Sequence, residues 1–210
     1  METVIRFFQD GGVFMYIIAG VLLWGLAIAL ERYIFLTRHT GSNKKVWSYL
    51  EPLLKAGDLS KARQAADQTN SEVSRIIAYG LNRQANGRRR DDIEIAMEEG
   101  LMEVTPQLEK RTQYIATLAN IATLLGLLGT IMGLIAAFTA VANANPAEKA
   151  DLLSQSISVA MNTTAFGLMT GIPLLLIHYF ISTKTAEVVE GLEMVSVKTL
   201  NAITESEIRN

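Results

Sequence analysis

The sequence predicts an all-α membrane protein with three transmembrane helices, two of them extended into a cytoplasmic helical bundle. Three observations carry this. Half of the 210 residues are hydrophobic although 19 % are charged, so the apolar residues must be concentrated in segments. Three uncharged or nearly uncharged runs approach or exceed the roughly 20 residues that a helix needs to cross a ~30 Å hydrocarbon core. The polar remainder places its apolar residues at helical spacing.

Residues 1–12, METVIRFFQDGG, lack the basic n-region and small-residue cleavage site of a signal peptide. Val4, Ile5, Phe7 and Phe8 beside Glu2, Arg6, Gln9 and Asp10 predict a short amphipathic helix at a membrane interface. Residues 13–30 form the first span, Val13 to Leu30, closed by Glu31-Arg32. Residues 31–113 are a polar domain. Helices are expected over 44–56 and 60–85, with a turn at Gly57-Asp58, Ser60 as N-cap and Asn86-Gly87 as a breaker. From Asp91 an amphipathic pattern enters the second span, residues 114–142, without a clear stop, and Pro106 is expected to bend it. A short loop, residues 143–151, leads to the third span, residues 152–183, whose only ionisable side chain is His178. That helix continues through residues 184–210. A buried-core reading of the three runs fails, because too little amphipathic chain remains to cover them.

Lys and Arg set the orientation. Residues 31–113 and the tail from Lys184 together hold 17 of the 19. Those segments are therefore cytoplasmic, and the N-terminus and the loop at 143–151 face the periplasm. Arg88-Arg89-Arg90 reads as a solvated loop before a helix opened by Asp91-Asp92, and the net charge of −2 gives no reason to expect nucleic acid.

Within the spans the small and polar positions are the informative ones. Gly126, Gly129, Gly133 and Ala137 stand at intervals of 3, 4 and 4. Such a stripe lets helix backbones approach closely. Gly167 and Gly171 do the same in span three, where Pro173 kinks for packing or frees a carbonyl near Met169. Asn120, Thr123 and Thr130 share a face of span two, and span three carries Asn162, Thr163, Thr164 and Thr170. Thr163 and Thr170 are expected to bond within their own helix. Thr130 and Thr164 lie near the middle of their spans, so antiparallel neighbours bring them level. A polar band there predicts an ion pathway. Spans two and three contain no Asp, Glu, Lys or Arg, and His178 lies near an end. Any proton that crosses therefore needs a carboxylate from another subunit. No cysteine and only two histidines leave no metal cluster, and no nucleophile–base pair or cofactor motif is present.

FFQDGGVFMY, LERYIFLTR, GDLSKARQAA, IATLANIATLLGLLGTIMGLIAAF and NTTAFGLMTGIPLLL together resemble the MotA/TolQ/ExbB proton channel family, and most closely its ExbB/TolQ branch. The resemblance covers nearly the whole chain. It implies a homopentamer around a dimer of a single-span ExbD- or TolR-like subunit, which supplies the titratable Asp. It also implies a TonB- or TolA-like force-transmitting partner, an inner-membrane location and no enzymatic activity. The family's pore threonines map onto Thr130, in GLLGT, and Thr164, in TTAFGL; Thr163, Asn162, Thr123 and Asn120 are weaker candidates. Two positions depart from the pattern: Thr123 replaces a Pro of many members, and Val159 replaces a Glu. The oxygens of Thr123 and Asn162 suit a hard cation, so Na⁺ coupling stands as an alternative to H⁺. A TolQ-like envelope role, another specialised motor and a non-conducting scaffold are the other readings.

Overall fold

The computed structural model describes residues 11–142 and 144–209, so the amphipathic segment expected over 1–12 lies outside the described residues up to Asp10. Among the described residues there are six helices and no strand: α1 Val13–Lys55, α2 Leu59–Asp67, α3 Glu72–Ala85, α4 Arg90–Glu109, α5 Thr112–Ala142 and α6 Lys149–Arg209. Three helical stretches are long and apolar enough to cross a membrane, and they contain the three expected spans.

The chain divides into two compact units. The first comprises residues up to Glu31 and Arg111–Ile181; the second comprises Arg32–Lys110 and Ser182 onward. The first is the apolar one. Leu23, Trp24, Leu124, Phe138, Met161, Met169 and Phe180 are each more than 60 % exposed in the single chain. A surface of that kind belongs against lipid or other protein, because water would drive such side chains together.

The second unit is a helical bundle with its own apolar core. Leu36, Leu50, Ile76, Ile77, Leu81, Ile93, Met97 and Leu108 are at most 1 % exposed. Each short helix has its own start signal. Asp58, not Ser60, caps α2: its Oδ1 accepts from the Lys61 backbone N–H at 3.2 Å. The Lys61 ammonium, at 2.6 Å, and that N–H hold the Asp58 carboxyl below the usual carboxylate range. Gly57 supplies the φ of +76° for the turn before it. The helix expected over 60–85 is broken at residues 68–71. There Thr69 Oγ1 donates back to Ala65 O, and Ser71 and Ser74 form a reciprocal capping box that starts α3. Ser and Thr compete for backbone partners in this way, which apolar spacing does not register. Asn86-Gly87 ends α3 as expected, with Gly87 at φ +67°.

A second difference concerns which helices continue past their spans. The sequence pattern assigned this to spans two and three. Span three does so, as α6 from Lys149 to Arg209, but the other unbroken helix is α1, from Val13 to Lys55, while the path into span two stops at Lys110-Arg111. Pro106 does not interrupt α4. Lys110 leaves helical geometry with ψ at 136°, and Arg111 takes a left-handed φ of +66°, rare for a residue with a side chain. Arg111 is held there by an ion pair of 3.5 Å with Glu31 of α1.

Candidate functional site

The site begins with the glycines of α5. A Cβ on Gly126 would stand 3.1 Å from the Gly167 Cα and 3.2 Å from both the Thr163 carbonyl oxygen and the Thr164 Cα. On Gly167 it would stand 2.8 Å from the Ala122 carbonyl oxygen and 2.9 Å from the Gly126 Cα. Those neighbours are backbone atoms and cannot rotate away. Gly129 faces the Thr163 side chain, Gly133 faces Ala160, and Gly171 faces Thr123 and the Ala119 carbonyl. The expected stripe is therefore a close contact between α5 and α6 within one chain, and Ala137 is fully buried at its end.

This approach sets the threonines. Thr130 and Thr164 are hydrogen-bonded to each other through their hydroxyls. Thr164 Oγ1 lies 2.9 Å from the Gly126 carbonyl oxygen, and Thr130 Oγ1 lies 3.3 Å from the same oxygen and 3.2 Å from the Ala160 carbonyl oxygen. Each hydroxyl owns one hydrogen. A coherent assignment has Thr164 donating to Gly126 O and Thr130 donating to Thr164 or to Ala160 O. Both hydroxyls then keep lone pairs, and both residues are part-buried. Such a pair accepts or relays hydrogen bonds. It cannot itself take up or release a proton near neutral pH.

The other candidates separate. Thr163 is buried and lies 2.9 Å from the Val159 carbonyl oxygen of its own helix and 3.0 Å from the Gly11 carbonyl oxygen. Its role is to tie α6 to the segment before α1. Thr123 donates to Ala119 O at 3.2 Å, one turn back on α5. Asn120 is exposed, Asn162 is half-buried, and neither joins the hydroxyl pair. Pro173 is exposed in the single chain and lies inside an unbroken α6. Thr170 corrects an expectation: it is fully buried, and its hydroxyl has no partner among the described residues. His178 is half-buried with Nε2 likewise unpartnered.

Sequence reading missed Ala160, whose carbonyl completes the Thr130 contact. A signal was present. Ala160, Thr164, Gly167 and Gly171 repeat at 4, 3 and 4, the reverse-face complement of the α5 stripe.

The chain is 29 % identical over 200 residues to an ExbB homolog of Methanothermobacter thermautotrophicus, covering 94 % of this chain and 69 % of that protein. It is 26 % identical to an ExbB-like protein of Synechocystis over 79 % of each chain. It is 28 % identical to the Tol-Pal system protein TolQ of Haemophilus influenzae over 56 % of this chain and 46 % of that one. Residues 68–194, which take in α3, α4, α5 and the span of α6, match the MotA/TolQ/ExbB proton channel family, and the chain belongs to that family.

Proposed function

We propose that the chain is an ExbB-like subunit of an inner-membrane motor that converts a proton gradient into mechanical work for TonB-dependent transport across an outer membrane. Five copies surround a dimer of a single-span ExbD-like subunit, whose Asp carries the proton, and a TonB-like protein receives the force. The N-terminus faces the periplasm, and residues 31–113 and the C-terminal helix are cytoplasmic. The observation that carries the reading is the Thr130–Thr164 hydroxyl pair in spans without Asp, Glu, Lys or Arg. Lone pairs left on the two hydroxyls accept from water or from a protonated carboxyl, and a hydroxyl that turns away from its backbone carbonyl can donate to the ionised form, without either group competing for the proton. The ExbB homolog, the ExbB-like protein and the TolQ protein among its relatives support a motor subunit. The TolQ match also supports a Tol-type cargo system as the second reading.

The scaffold reading is favoured by the same hydrogen bonds, since both threonines can satisfy their hydrogens within the chain. Ion flux in proteoliposomes separates the two. The chain is reconstituted alone and then with a co-encoded single-span partner, under an imposed potential, in K⁺ and then Na⁺ buffer. The expected result is flux that requires the partner and falls about tenfold or more in Thr130→Val and in Thr164→Val, as loss of a buried hydrogen-bonding group implies. Flux that both variants preserve would return the threonines to packing.

A further inference from the structure

Two surface features of the second unit complement each other, and neither is used by the ion pathway. The first is a half-open groove of about 180 Å³ between α1, the start of α3 and α6. Its wall and floor include Trp47, Val188, Leu192 and Val195, with Lys44 and Lys198 on its rim and Glu187 at one end. The Lys198 ammonium stands 5.9 Å over the Trp47 ring. A Cβ on Gly191, which also lines the groove, would meet no atom within 4 Å, so space above it is open. The volume is below the roughly 300 Å³ of a small-molecule pocket and suits one or two apolar side chains.

The second feature is the outward face of α4. Ile95, Glu98, Glu99 and Met102 stand at i, i+3, i+4 and i+7 and are all exposed, Ile95 at 54 % and Met102 at 72 %. Asp91 and Asp92 extend the same face by one turn. Glu99 reaches Arg83 at 4.0 Å, whereas Glu98, Asp91 and Asp92 form no ion pair among the described residues. The face is thus an acidic ridge with two apolar knobs. Seven residues separate the knobs by ~10 Å along the axis, and the groove runs from Thr40 to Trp47 over the same seven residues of α1.

We propose that the α4 ridge of one copy docks in the groove of the next copy. Ile95 and Met102 enter the apolar trough, and Glu98 meets the Lys44 and Lys198 rim. Groove and ridge share no residue, so the contact is heterologous, and repeated head-to-tail it closes a ring when the rotation allows. The inference rests on the proposed homo-oligomer and names the surfaces outside the spans that hold it together. The charge pairing also explains why an exposed apolar ridge is flanked by carboxylates: it repels its own kind and is attracted to the lysine rim.

The chain has no cysteine, so single introduced thiols are unambiguous. Full-length Met102→Cys with one tag and Gly191→Cys with another are co-expressed, and membranes are oxidised with copper phenanthroline. The expected product is a dimer carrying both tags, with no dimer from either variant alone, since a disulfide needs Cα atoms within ~7 Å. Adding Glu98→Lys should lower its yield by about fivefold, and Lys198→Glu on the groove-bearing chain should restore it. A yield indifferent to Glu98→Lys, or a Met102→Cys dimer with itself, overturns the assignment. No mixed dimer, while an amine cross-linker still joins chains into oligomers, also overturns it but leaves the oligomer standing. Chains that stay single under both reagents overturn the docking and the oligomer together.

Discussion

The α5–α6 contact and the α3–α4 contact both contain glycines, and the glycines do opposite things. In the α5–α6 pair, Gly126 and Gly167 admit the partner's backbone, with Cα and carbonyl oxygen as nearest neighbours. In the α3–α4 pair, Gly80 admits the Met97 side chain, and Gly100 admits chiefly the Tyr79 and Ile76 side chains. Side chains at 76 and 79 facing 100, and at 80 facing 93 and 97, also show that α3 and α4 run antiparallel across the short Asn86–Arg89 connection. Water explains the second arrangement: burying Ile76, Ile77, Met97 and Leu108 removes apolar area from solvent, so large side chains are drawn into the contact. Lipid removes that drive, because its tails are as apolar as leucine. Helices in it gain by close backbone approach and by hydrogen bonds. Hence Leu124, Leu127, Leu128 and Met132 of α5 are exposed in the single chain, whereas Gly126, Gly129, Gly133 and Thr130 face α6.

The comparison breaks in different places under different substitutions. The largest stability loss is expected for Ile76→Ala in the second unit, about 2–5 kcal/mol from lost transfer energy and the cavity left behind. Denaturation of the purified protein, followed by helicity, measures it, and a loss under ~1 kcal/mol would mean that this core is loosely packed. Next is Gly167→Ala, which adds one methyl where backbone lies 2.8 Å away and should cost about 1–3 kcal/mol by overpacking. Thermal melting in mild detergent reports it, and an unchanged midpoint would show that α5 and α6 separate without penalty. Ser71→Ala removes the capping-box hydroxyl and should cost ~1 kcal/mol with hydrogen exchange rising first at the α3 start. The smallest effect is a gain. Gly41→Ala lies inside α1 with no atom within 4 Å of the added carbon and should stabilise by about 0.5–1 kcal/mol. The same Gly→Ala change thus carries opposite signs at positions 41 and 167, and equal signs would sink the distinction.

Much of this was legible in the residues alone. Uncharged runs of sufficient length define spans because the bilayer has one thickness and penalises charge. Small residues at intervals of 3 and 4 define a packing face because the α-helix has one period. Level threonines followed from counting residues along two antiparallel spans, and the structure brings Thr130 and Thr164 into contact. Where the reading failed, local and long-range terms competed. Ser60 and Asp58 are both good caps, and the Lys61 side chain adds a contact at Asp58. Pro106 is the strongest helix breaker in its segment, yet the break falls at Arg111, where Glu31 of another helix holds the guanidinium.

The sequence by itself determined the all-helical class, the three spans and the absence of a titratable group from most of their length, since these depend on composition and period along one chain. Tertiary structure alone decided which glycine meets which backbone, that Ala160 O and Gly126 O surround the hydroxyl pair, that Thr170 is left without a partner, and that α1 rather than the path into α5 runs unbroken. Those outcomes depend on distances between segments up to 152 residues apart, as in Thr163 to Gly11, and such distances are set only when the helices pack.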